Sequence, residues 1–533
     1  MGANLANYAT AGRVIVGRDG MTGSILLAST GATTINNLGV EFLTSESGQT
    51  VLNNNFILGT AGKALTFNSA VKLATTGGTT TLQTNNGLIT IGQALDADGI
   101  STGNLTIAAG TGNFVVNGTM GSGVRLGAVS FTSAGAVTFN SSVTAASMVA
   151  AGGAAITTAT FNGSQNYNAV AGLNFVADSI ALSGAVTTAT AAGVVTLNAD
   201  TGALTISSAG DIVSQGAVSL TGATGITTAG DITGTAAGAT ITFVSATLLS
   251  NNTGTVALQT TGGSNILFSS TLGSTVAGDI SLAAGTGNIT FTGAVGGGGN
   301  TLGDISVTSV GTLTAPAISA ASFTQTGGLG ATVTQLTGAQ AYSGNFSVTS
   351  SGSFSLGAGA TLNTTVGGAS GTVNLAAATV SLSSTSDITA GGTVTIGTAS
   401  GTVSTGADVT TSADDITFVG NTTLTAAVAL ASTGGNVAFN RTLAGNQDLT
   451  IAAGTGTVTF TGAVSNLGDG AGAALTISSA GAANINNTFG ANSGINSSAT
   501  ANTFTGNVTL ANGDTASTFG GSVNFGGITW SGF

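Results

Sequence analysis

The chain has 533 residues, of which only 6 are basic and 18 acidic, giving a formal net charge of −12 with no His. Six basic residues cannot replace the counterions of a nucleic acid. The absence of Cys removes disulfides, thiolate catalysis and most structural zinc sites. Apolar residues reach 42%, and Gly plus Pro come to 88 of 533, below the roughly 25% that marks a disordered low-complexity chain. Mean hydropathy is +0.47, yet Gly, Thr, Ser or Asn interrupts every apolar run well short of the about 18 residues of a membrane span.

In chain order, the start, MGANLANYATAGRVIVGRDG, lacks the basic region and apolar core of a signal peptide, so an export signal is expected outside this sequence. Residues 1–81 read as a lead-in segment of short alternating runs, with LASTG at 27–31 echoed by LATTGG at 73–78. A long repeat begins at Leu82. LQTNNG at 82–87 returns as LQTTGG at Leu258 and LASTGG at Leu430; IAAGTG at 107–112 returns as LAAGTG at 282–287 and as IAAGTG at 451–456. VSFTSAG, ending at Gly135, matches ISVTSVG at Gly311 and LTISSAG at Gly481. Tyr167 and Tyr342 stand one long repeat apart, as do Met148 and Phe323, and Phe243 and Phe418. The copies run 82–257, 258–429 and, in part, 430–533.

Within each copy, short segments such as DISLAAG, NITFTGAV and DISVTSV alternate apolar residues with Thr or Ser, bounded by Gly, Asn and Asp. That pattern predicts strands nearly throughout. The best helical candidate, TLTAAVALAST at 422–432, has no cap and is ringed by strand patterns. The fold expected is all-β, a parallel β-helix or β-solenoid built from tandem long repeats, with coils of roughly 20–30 residues. The alternative is a string of β-sandwich domains, which would need linkers and larger cores. Asn and Thr ladders along the stack, with Phe and Val inside, would satisfy the polar groups.

GNITFTGAV, DISVTSVG, AISAASFTQTGG and NQDLTIAAGTGTVTFTGAV resemble the giant bacterial exoproteins known as β-strand-repeat surface proteins, related in style to filamentous-haemagglutinin-type adhesins. The resemblance covers about residues 82–533 and, loosely, the start. It implies a right-handed β-helix, an extracellular or cell-surface location, and roles in adhesion, aggregation, sheaths or surface layers. It supplies no catalytic residue.

Candidate chemistry is sparse. Asp211, Asp231, Asp279, Asp304 and Asp387 each stand just before a strand, usually as Gly-Asp-Ile. The favoured reading is a turn whose carboxylate bonds the amides that follow it. The rival, Ca²⁺ held between coils, lacks the tandem GGxGxDxUx repeats that build such sites. Asp414–Asp415 and Asp96/Asp98 are the close acidic pairs, but adjacent strand residues face opposite ways, Thr240 replaces Asp415 in the preceding copy, and Arg441 is the nearest base. An enzyme is therefore not expected, nor any cofactor or metal. The four glycines Gly296 to Gly299 precede no helix with a Lys, so they read as a turn rather than a phosphate cradle. TTTLQT at 79–84 could offer a flat hydroxyl array; the sequons at Asn104, Asn288 and Asn345 follow from composition. The leading function is a non-enzymatic structural filament, sheath or coat that self-associates; the alternative is the stalk of an adhesin contacting cells or surface carbohydrate, with a phage-fibre shaft behind both.

Overall fold

A computed structural model describes residues 12–18, 21–27, 31–44, 48–75, 78–100, 103–190, 192–327, 332–511, 516–526 and 530–531. It is an all-β parallel β-solenoid of about 21 turns, without α-helix among the described residues. Every strand pairing given for the described residues is parallel, which removes the string of antiparallel sandwiches. The echoed LASTG and LATTGG segments lie partly outside the described residues. The chain divides into two units, Met1–Asn251 with Val256–Ser270, and Asn252–Thr255 with Thr271–Phe533.

In the first unit most coils give one strand to each of three ladders; in the coil that begins at Phe114 a single bridge at Met120 takes the third place, and the strand Val143–Ala150 spans two ladders. One ladder runs Leu65–Phe67, Ile89–Ile91, Phe114–Val116, Ala136–Phe139 and Thr158–Phe161 in register. Period-two alternation turns Leu65, Ile89, Phe114, Val137 and Ala159 into one inward column and Phe67, Ile91, Val116, Phe139 and Phe161 into another. Thr66, Thr90, Val115, Thr138 and Thr160 face outward from the same strands, only half-buried. Residues that recur along the sequence thus become neighbours along the stack.

The second unit repeats the plan. Val373, Val394, Ile416, Val437 and Val458 form one inward column, and Leu375, Ile396, Phe418, Phe439 and Phe460 its companion. Phe418 and Phe439 stack with ring centroids 4.7 Å apart, and Phe439 and Phe460 at 5.4 Å. Each such buried ring stabilises the fold by about 1.5–3 kcal/mol through area alone. The helical candidate at 422–432 is two strands, Asn421–Leu424 and Val428–Ala431, broken by a bend. Pairing with neighbouring coils overrides the high helix propensity of its Ala and Leu.

Corners decide where Gly is required. In the AAGTG corner, Gly110, Gly285 and Gly454 hold φ of 65°, 60° and 60° in the three copies, the left-handed region that costs glycine nothing. Their amides donate to the Oγ of Ser133, Ser309 and Ser479 on the following coil, at 2.9, 3.0 and 3.2 Å. Two positions on, a Cβ at Gly112 would lie 2.1 Å from the carbonyl oxygen of Gly87, and one at Gly456 2.1 Å from that of Gly435. Successive backbones touch there.

Candidate functional site: the acceptor ladder and the outward faces

Asp211, Asp231 and Asp387 lie just before a strand, Asp279 opens one and Asp304 lies inside Leu302–Ser309, and their bonds differ from the local turn expected. Asp211 Oδ1 accepts the amide of Asp231, Asp231 Oδ1 that of Ala257, Asp279 Oδ1 that of Asp304, and Asp387 Oδ1 that of Asp408. Asp304 Oδ1 accepts the hydroxyl of Ser322. Each partner is on the next coil, so these carboxylates are rungs between coils. A parallel stack brings that amide within reach of a short side chain, about 4.8 Å along the stack. The local form occurs at Asp98, whose Oδ1 accepts the amide of Ile100.

Charge is dispensable to a rung. Asn104, Asp279 and Asp448 open the corresponding strands of the three copies, NLTIAAGTG, DISLAAGTG and DLTIAAGTG. All three do the same job: Asn104 Oδ1 accepts the amide of Ala128 at 2.8 Å, Asp279 that of Asp304 at 2.7 Å, and Asp448 that of Asp469 at 3.3 Å. What the position needs is an acceptor oxygen, which Asn and Asp share. The sequons at Asn104 and Asn345 are rungs too, since Asn345 Oδ1 accepts the amide and hydroxyl of Thr372.

The acidic pairs do not converge. Asp414 and Asp415 lie in the bend before Ile416–Phe418 rather than on a strand. Asp414 uses its main-chain oxygen to accept from Thr411, while Asp415 Oδ1 takes the amide and Nδ2 of Asn436. Asp96 is on the strand Leu95–Ala97 and accepts from the amides of Gly123 and Val124. Arg441 is exposed. Among the described residues no three carboxylates come together as a cation site. Since Asn104 performs the rung without charge, excess EDTA is expected to leave the melting temperature within about 1 °C of its value in Ca²⁺. A fall of many degrees on chelation would show a bound ion.

The Asn ladder runs along a solvent-exposed corner. Asn140 Nδ2 donates to Asn117 Oδ1 and Asn162 Nδ2 to Asn140 Oδ1, both at 2.9 Å. The Thr string at 79–84 is not a flat array, because alternation buries Thr80 and Thr84 and leaves Thr79 exposed. Thr84 spends its hydroxyl on the corner carbonyl of Gly87. A hydroxyl face missed in the sequence occurs in the second unit, where Ser353 and Ser355, Thr379 and Ser381, and Thr402 and Ser404 point outward from three paired strands. Gly296, Gly298 and Gly299 hold positive φ in a turn.

A buried polar set recurs in the first two copies. Tyr167 donates its hydroxyl to Gln165 Oε1, and Gln165 Nε2 donates to the carbonyl of Gly163; Tyr342, Gln340 and Gly338 repeat the arrangement. Burial pushes both phenols well up, so they remain donors. Arg125 donates to the carbonyls of Ala145 and Asn166 and to Asn166 Oδ1, stapling coils together, and burial lowers its pKa. Among the described residues Phe525 is the one exposed large aromatic. No family model, curated protein or solved structure matches the chain.

Proposed function

We propose that this chain is part of a non-enzymatic extracellular structural protein of bacterial type, whose repeats build a surface filament, sheath or coat by self-association. The observation that carries the reading is the ladder. From copy to copy the same side chains do the same work between coils, as with Asn104, Asp279 and Asp448. Sequence repetition is thus spent on holding neighbouring coils together, and outward positions are filled by Thr, Ser and Asn with little charge. Repeated uncharged faces with thin electrostatic repulsion suit packing of like against like. The resemblance to β-strand-repeat exoproteins points the same way.

Negative-stain imaging of purified protein at rising concentration tests it. Regular filaments or lattices are expected. Dispersed particles that bind cells or surface polysaccharide without assembling would replace this reading with the adhesin stalk.

A further inference from the structure

The Asn ladder of the first unit carries a reactive dipeptide at each of its two ends. Asn117 is followed by Gly118 and Asn162 by Gly163, while the middle rung, Asn140, is followed by Ser141. Glycine is imposed there by the stack, because a Cβ at Gly118 would lie 2.2 Å from the main-chain carbonyl carbon of Gln93, and one at Gly163 2.1 Å from that of Ser141. Asn is imposed by the rungs. Asn-Gly is the pair in which a main-chain nitrogen most readily attacks the side-chain amide before it, since no Cβ on the second residue obstructs the approach.

The two ends are held differently. The ladder runs one way, so Asn117 takes part through its side-chain oxygen, accepting from Asn140 Nδ2, and Asn162 through its Nδ2, donating to Asn140 Oδ1. A donor on Asn117 Oδ1 draws electrons from Cγ and stabilises the oxyanion that forms when a nitrogen adds to it. Among the described residues the Gly118 amide has no acceptor, whereas that of Gly163 reaches the carbonyl of Phe139 at 3.4 Å. Both Asn side chains are exposed to the water that the reaction consumes.

We infer that Asn117–Gly118 is a self-modifying site, at which the folded chain converts Asn117 to aspartate while the far end of the ladder keeps Asn162 intact. The Gly118 nitrogen bonds Cγ, the Cγ–Nδ2 bond breaks, and the proton lost by Gly118 ends on Nδ2, which leaves as ammonia from a cyclic imide. Water then opens the imide at Cγ, which restores the original main chain and leaves a carboxylate where the amide stood. The rung survives, because Asp at 117 would still offer an oxygen to Asn140 Nδ2. At Asn162 the same change would set a carboxylate against Asn140 Oδ1, two acceptors with no hydrogen between them. The product adds one negative charge to a chain already at −12.

The test is peptide mass spectrometry of the full chain after incubation at mildly alkaline pH, folded and in denaturing urea, following the mass gain of deamidation at each Asn-Gly pair. In the folded chain, conversion at Asn117 is expected to be about tenfold faster than at Asn162, the effect of one hydrogen bond to a developing charge. In urea the two should match. Asn140→Asp removes the donor and keeps the acceptor, so it should slow Asn117 and leave Asn162 as it was; Asn140→Ala should slow Asn117 and quicken Asn162. Asn86–Gly87, whose Asn86 Oδ1 accepts the amide of Thr111 away from the ladder, is the internal standard and should respond to neither. Folded-state conversion at Asn117 no faster than at Asn162, the same ratio in urea, or a rate at Asn117 that both substitutions leave unchanged overturns the inference.

Discussion

Gly456→Ala is expected to destabilise the second unit by about 3 kcal/mol or more in urea unfolding, with a visible fall in the β signal at ambient temperature. The new methyl would lie 2.1 Å from the carbonyl oxygen of Gly435 and 2.5 Å from its carbon, both main-chain atoms that cannot rotate away. Relief requires the coils to part, which breaks the parallel pairing on either side of the corner. Gly434→Ala is the matched control. Its Cβ would meet only the hydroxyl of Thr455 at 3.4 Å, at a position without positive φ, so it should be neutral or gain up to about 1 kcal/mol from a stiffer unfolded chain. Equal effects from the two substitutions would mean that the stacked corner is not rigid.

Phe439→Ala should cost about 3–5 kcal/mol, measured the same way. Phe439 is 1% exposed and lies between the parallel rings of Phe418 and Phe460. Truncation leaves a cavity flanked by two rings whose backbones are pinned to each other through the same ladder, so the site has little freedom to collapse. Phe439→Leu keeps most of the volume and should cost less than about 1.5 kcal/mol. A loss for the alanine variant no larger than that of the leucine variant would indicate that the column repacks freely.

Much of this architecture is legible in the residues. Alternation in segments such as NITFTGAV marks the strands, and the IAAGTG and GSQNY echoes mark positions that prove equivalent down to individual hydrogen bonds, as at Ser133, Ser309 and Ser479. Coil length is hidden, because the step is not constant. Phe418 pairs with Phe439, whereas Phe346 reaches noticeably further along the chain, to Val373, for its partner in the next coil. Corners absorb the difference, so identical residues seldom recur at one spacing.

The aspartate rungs escape a reading of the sequence for the same reason. A carboxylate before a strand has a local amide within reach in any chain, and only the coil step brings Asp231 over Asp211 or Asp408 over Asp387. In TTTLQT the alternation is plain, but its phase depends on the ladder, and pairing puts Thr80 opposite Leu105 and turns it inward. The hydroxyl face on Ser353, Thr379 and Thr402 is invisible for the converse reason: its members are scattered through unlike segments and meet only in the stack.

The equivalence of Asn104, Asp279 and Asp448 bears on how such a gene can change length. Near-identical stretches invite unequal crossing-over, and in most folds the loss of so long a stretch would tear a core open. Here the strand after any of these three residues presents the same acceptor and the same AAGTG corner to its neighbours. An exchange between copies at that point removes or adds whole coils and rejoins like to like, so lengthened and shortened alleles should fold equally well, and natural variation in size is expected in steps of one long repeat.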